Sequence, residues 1–170
     1  MPNKMNATAM KRYLAEVGAI LASRRLHGKI VMAGSGVVAA TLSSSRMSRD
    51  IDARFDNNGE AIRLAVAEVA RKHGLAPNWL NDQVKVFVAP NAPTEPLWDF
   101  PGLTVRRVSF EYLFYMKAWA GDPSDFEDMK LISRKLGLKD EEQALHIIER
   151  FSPSGGLPGN IQLMVEGLFQ

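Results

Sequence analysis

Strand signals stop about two-thirds of the way along the chain, and that asymmetry constrains the fold more than any other feature. Before Ser109, short β-branched or alternating runs are interleaved with helical periods; from Ser109 to Gln170 only the helical period recurs. This order predicts an α/β (α+β) fold: a small mixed sheet of three to four strands with helices, over residues 1–108, then a helical region over 109–170. With 170 residues, the chain has room for one such domain and a helical appendage.

Met10, Tyr13, Leu14, Val17, Ile20 and Leu21 recur at spacings of three and four, which predicts a helix over Ala9–Arg25 with Asn6 or Thr8 as its N-cap. Gly28 stops it, and Lys29–Ala33 reads as a buried strand that ends in Gly34-Ser35-Gly36. Val37–Leu42 suits a helix of about two turns, because the hydroxyls of Ser43, Ser44 and Ser45 compete for the backbone. Arg49–Phe55 alternates as a second strand, with Ile51, Ala53 and Phe55 inward and Asp50 and Asp52 sharing the other face. After turn chemistry at Asp56–Gly59, a helix runs to His73 and Gly74 closes it. Val84–Val88 reads as a third strand, Asn91–Pro101 as a proline-rich loop, and Leu103–Val105 as a short fourth strand. Helices then follow at Ser109–Trp119, Pro123–Leu136 and from Asp140, with a flexible joint at Ser152–Gly156 before a last apolar segment, Ile161–Phe169.

The chain has no cysteine, so disulfide scaffolds and thiolate metal sites are excluded. His27, His73 and His146 are scattered, which leaves oxygen ligands as the metal chemistry available. Lys and Arg number 21 against 19 Asp and Glu, a formal charge of +2, so overall charge does not argue for nucleic-acid binding. Any nucleic-acid acceptor would need a local patch. No apolar run approaches the roughly 18 residues of a membrane span. Met1–Lys11 lacks an apolar signal core, and the expectation is a cytoplasmic protein without a membrane partner.

Two chemistries compete for Gly34-Ser35-Gly36. Gly34, Gly36 and Ala39 match the G-x-G-x-x-A dinucleotide spacing, but that fold needs a longer crossover helix and further parallel βα units. The alternative joins the turn to Asp50 and Asp52. Carboxylates two apart on a strand hold Mg²⁺ against a triphosphate, while a Gly-Ser turn at a helix start offers backbone N–H groups and a hydroxyl to phosphate. Arg46 and Arg49 suit either phosphate contact or solvent.

Gly34-Ser35 followed by Arg46-x-Ser48-x-Asp50-Ile51-Asp52 resembles the opening motif of the nucleotidyltransferase superfamily. With Trp79-Leu80-Asn81, Leu113-x-x-x-Lys117 and Asp125-x-x-Asp128, the stretch Gly28–Gly137 is similar to a bacterial group of small nucleotidyltransferase-like proteins related to AbiEii-type toxins. The resemblance implies transfer of a nucleoside monophosphate from a nucleoside triphosphate to a hydroxyl on RNA, protein or a small molecule. It assigns Mg²⁺ or Mn²⁺ to Asp50 and Asp52, and the nucleotide to Gly34, Ser35, Arg46, Ser48 and Lys117. Catalysis falls to Asp50, Asp52, Lys117 and Asp128, with the helical region completing the active-site cleft. It also implies a toxin–antitoxin or phage-defence module with a cognate partner protein.

The chain departs from the family pattern at two points. Val84–Val88 has no acid where a third metal carboxylate is usual, and Asp122 stands where relatives often carry arginine. These favour an alternative, a catalytically degenerate nucleotidyltransferase-fold protein that binds or regulates a partner. Local readings stand beside the family ones. Lys117 suits a lysine snorkelling at the core edge, and Asp125 and Asp128 suit a helix start with surface pairing to Lys130 and Arg134. Trp79 suits a core plug and Asn81 a turn cap.

Overall fold

The computed structural model describes residues 4–153 and 156–170. The chain forms two compact units, Met1–Val108 and Ser109–Gln170.

The first unit contains α1 (Ala7–Ser23), β1 (Gly28–Ala33), α2 (Ser35–Thr41), β2 (Ile51–Asn57), α3 (Gly59–His73), β3 (Leu80–Asn81), β4 (Thr94–Phe100) and β5 (Leu103–Val108). Its mixed sheet has five strands in the order β3-β2-β1-β5-β4, more than the three to four expected. β1 runs antiparallel to β2 and parallel to β5. That pairing removes the dinucleotide reading, because a G-x-G-x-x-A turn joins parallel strands. Leu14, Val17 and Leu21 of α1 and Ile62, Ala65 and Val69 of α3 are buried, as are Ile30, Met32, Ile51, Ala53 and Val105 of the sheet.

Local chemistry sets the helix ends. Asn6 Oδ1 accepts from Ala9 N at 2.9 Å, so Asn6 is the N-cap and Thr8 lies inside α1. Asp56 and Asn57 belong to β2, and the turn into α3 is made by Asn58 at φ 49°.

Two expected elements are different. Val84–Val88 is not a strand: Gln83–Val86 is a 3-10 turn. Asn81 Oδ1 accepts from Gln83 N at 3.2 Å and the Asp82 carbonyl accepts from Lys85 N at 3.1 Å, so turn hydrogen bonds replace a ladder. Val86 and Phe87, which the alternation would half-bury, are 75% and 69% exposed. The Pro-rich loop is largely β4, paired with β5. An edge strand tolerates Pro96 because one side needs no ladder bond, and the register shifts there, between Pro96 and Trp98.

The second unit is helical: α4 (Phe110–Ala120), α5 (Phe126–Leu136), α6 (Glu141–Phe151) and α7 (Gly159–Leu168), with a 3-10 turn at Pro123–Asp125. Ser109 Oγ accepts from Tyr112 N and Asp140 Oδ1 from Gln143 N, capping α4 and α6. Leu113, Phe114, Met129, Ile132, Ala144, Ile148, Ile161 and Val165 form its core. The joint expected at Ser152–Gly156 falls partly on Ser154 and Gly155, outside the described residues. Among the described residues no helix is long and apolar enough to cross a membrane.

Candidate functional site

Strand pairing brings the Gly-Ser turn and the aspartates together. In the β1–β2 register Ala33 faces Asp52, which places Asp52 beside the residue that follows Ala33. That residue, Gly34, has φ 75° and ψ −164°, a conformation that glycine adopts without strain. A Cβ there would lie 3.1 Å from Asp52 Oδ2, and a Cβ on Gly36 would lie 3.7 Å from the Asp50 carbonyl. The small residues therefore let the start of α2 sit directly against the Asp-x-Asp stretch. Ser35 is the first residue of α2 and is half-buried.

Asp52 lies within β2, whereas Asp50 precedes the strand by one residue. Alternation therefore settles the face of Asp52 only. The Asp50 main chain is held instead by Ser48, whose Oγ donates to the Asp50 carbonyl at 2.7 Å. Ser48 is 8% exposed, and its backbone pairs with Met5 in an isolated antiparallel bridge. Its hydroxyl thus positions Asp50. Arg46 is half-buried between α2 and β2, and Arg49 is exposed.

Three neighbours on this side of the sheet were not singled out from the sequence. Arg54 shares the Asp52 face by alternation; its Nε and Nη2 donate to the two Asp56 oxygens and its Nη1 donates to the Ala89 carbonyl at 2.7 Å. Asp56 extends the same period, so Asp50-x-Asp52-x-Arg54-x-Asp56 was the available signal. Arg106, paired across β1 with Val31, donates to Thr94 Oγ1 at 2.9 Å. β3 lies on the other side of β2, with Asp52 opposite Asn81. Trp79 fills the core at 1% exposure and donates Nε1–H to the Val66 carbonyl, and Asn81 caps the following turn.

In the helical unit, Lys117, Asp125 and Asp128 form one buried cluster. Lys117 Nζ lies 2.9 Å from Asp125 Oδ1 and 3.2 Å from Asp128 Oδ2. Lys117 is 5% exposed and Asp128 fully buried, which corrects the readings of a snorkelling lysine and a surface carboxylate. The paired charges repay a desolvation that neither could bear alone. Asp122 accepts from Ser124 N at 2.9 Å and caps the 3-10 turn at Pro123. The Ser124 hydrogen bonds hold its carboxyl below the usual carboxylate range, against a small opposing effect of burial.

The aspartates can be tested against the implied metal. Among the described residues no group of three or more His, Cys, Asp and Glu side chains is placed to hold a metal. Two carboxylates fit Mg²⁺ or Mn²⁺ that takes its remaining oxygens from water and substrate phosphates, and do not make an all-protein cage. No family model, curated protein or solved structure matches the chain.

Proposed function

We propose that the chain is a metal-dependent nucleotidyltransferase of the small AbiEii-related type, with a nucleotidyltransferase-type sheet in its first unit. The observation that carries this reading is the apposition of the Asp52 carboxylate and the Gly34 turn, with Asp50 anchored beside them by Ser48. Asp50 and Asp52 would hold Mg²⁺ or Mn²⁺, which when bound neutralises triphosphate charge and makes the α-phosphorus more electrophilic. The missing Cβ at Gly34 leaves its backbone open to a phosphate, and the Ser35 hydroxyl supplies a donor. Arg46 suits a phosphate contact through its guanidinium. An acceptor hydroxyl then attacks the α-phosphorus in line; the oxygen–phosphorus bond forms, the α–β bridge breaks, pyrophosphate leaves and the hydroxyl proton is released.

The resemblance also assigns the triphosphate to Lys117. Within the helical unit Asp125 and Asp128 set where that ammonium sits, so Asp128 acts as a positioning residue in this scheme. RNA, protein and small-molecule hydroxyls all suit the chemistry as acceptors, in a module with a cognate partner protein.

A second reading, a degenerate scaffold that binds or regulates a partner, is favoured by β5. This strand flanks β1 opposite β2 and carries Arg106 and Arg107 without any acid.

The test is label transfer from α-labelled nucleoside triphosphates, with pyrophosphate release, for wild type, Asp50→Ala and Asp52→Ala. Activity that both substitutions abolish supports the enzyme. Equal behaviour of all three proteins against RNA and protein acceptors sinks it, and calorimetry showing no Mg²⁺-dependent triphosphate binding would favour the degenerate scaffold.

A further inference from the structure

The formal charge of +2 conceals a strong division along the chain. Met1–Val108 holds 15 Lys and Arg against 9 Asp and Glu, a net +6, whereas Ser109–Gln170 holds 6 against 10, a net −4. The polyanion-attracting charge is thus confined to the unit that carries Asp50 and Asp52.

One cationic pair in that unit has a specific place. Met5 N donates to the Ser48 carbonyl at 2.7 Å and Ser48 N to the Met5 carbonyl at 2.9 Å. An antiparallel bridge sets the residue before one partner beside the residue after the other, so Lys4 and Arg49 flank this bridge on the same side. Both are exposed, and among the described residues neither makes an ion pair with an acid. Like charges brought together across such a pair repel, and an anion between them removes the repulsion. Elsewhere in the unit Arg24, Arg54, Arg63 and Lys72 are each matched to a carboxylate, which makes the unmatched pair beside Asp50 distinctive.

We infer that Lys4 and Arg49 form a binding site for the phosphodiester backbone of a single-stranded nucleic acid, which they deliver to the Asp50 end of β2. The site favours this occupant because two adjacent exposed cations suit repeating phosphates, and a guanidinium pairs with phosphate oxygens in bidentate fashion. As a statement of the acceptor class it rests on the transferase reading; as a binding surface it stands apart from it.

The experiment is fluorescence anisotropy of a labelled single-stranded RNA, and of DNA of the same sequence, with the full chain and without metal or nucleotide. Wild type should bind, with affinity falling steeply from low to moderate salt. Lys4→Glu with Arg49→Glu should weaken binding at least about tenfold and flatten the log–log salt slope by about two, one for each lost phosphate contact. Both residues are exposed, so circular dichroism should show an unchanged fold. Arg71→Glu, at an exposed cation of α3, should stay within about twofold of wild type. Tighter binding of RNA than of DNA, or equal binding, upholds the surface and tells which backbone it prefers.

Three results would overturn it: no binding by wild type, an equal loss in Arg71→Glu, or competition by polyglutamate as effective as that by RNA. The last would make the occupant an acidic protein segment. RNA binding without label transfer counts against the transferase alone, and label transfer without RNA binding counts against this site alone.

Discussion

Lys117 Nζ lies 3.2 Å from Asp128 Oδ2, and neither side chain has appreciable access to solvent. The pair joins α4 to α5, and Asp125 completes it at 2.9 Å from the same ammonium while remaining 19% exposed. Removing one member of a buried pair leaves a charge that water cannot reach. Asp128→Ala should therefore destabilise the helical unit by about 3 kcal/mol. Asp125→Ala should cost about 1 kcal/mol, since Asp128 still faces the lysine and water reaches the gap. Denaturant unfolding followed by circular dichroism would check the ranking, and equal losses would refute it.

Gly34→Ala should lower stability by about 1–2 kcal/mol, because φ 75° is strained for a residue with a side chain and the new Cβ would press on Asp52 Oδ2 at 3.1 Å. Gly36→Ala makes the contrast. Its nearest contact would be an ordinary 3.6 Å to Met32, inside a helix where alanine is favoured, so it should be neutral or stabilising by up to about 1 kcal/mol. Thermal melts of the two variants should move in different directions.

Gly18 and Gly102 lock α1 onto the β4–β5 turn. A Cβ on Gly102, at φ 84°, would lie 2.0 Å from the Gly18 carbonyl oxygen, and a Cβ on Gly18 would lie 2.6 Å from that of Pro101. Neither obstacle is a flexible side chain. Gly102→Ala should cost about 4 kcal/mol, overpacking added to backbone strain, and Gly18→Ala about 2–3 kcal/mol. A soluble Gly102→Ala protein with a wild-type melting temperature would refute this packing.

Glu16 accepts from Lys72 and His73, which ties α1 to the end of α3. Burial acts to raise its carboxyl pKa, but the hydrogen bonds and charges of Lys72 and His73 together hold it below the usual value. A carboxyl depressed by folding stabilises the fold above its unfolded value, about 4.3, and loses that contribution as pH falls through its lower folded value. Glu16→Gln should thus be less stable than wild type near neutrality by under about 1 kcal/mol, with its side chain 27% exposed. The difference should shrink below about pH 4. A constant difference in melting temperature from pH 7 to pH 3 would contradict it.

What could be read along the chain was local. Asn6, Ser109 and Asp140 act as caps where their spacing to the next apolar residues placed them, and Gly74, Gly121 and Gly137 take the left-handed conformation where helical periods end. β1 was legible because its buried run is short and β-branched. Val84–Val88 misled because alternation records which residues would suit a strand and carries no record of a partner edge. β4 was hidden by its prolines, although Phe100-Pro101-Gly102-Leu103 has the Pro-Gly order of a type II turn, and Gly102 has the required positive φ.

By itself, the sequence determined the helix ends, the first strand, the two-part order of the chain and the oxygen-only ligand chemistry, because each depends on residues within a few positions of one another. Tertiary structure decided that β1 and β2 run antiparallel, and hence that Asp52 reaches the Gly34 turn. It also decided that Ser48 holds Asp50, that Lys4 meets Arg49, and that Lys117, Asp125 and Asp128 share one buried cluster. These relationships depend on pairing and burial between residues distant along the chain, which neither periodicity nor composition encodes.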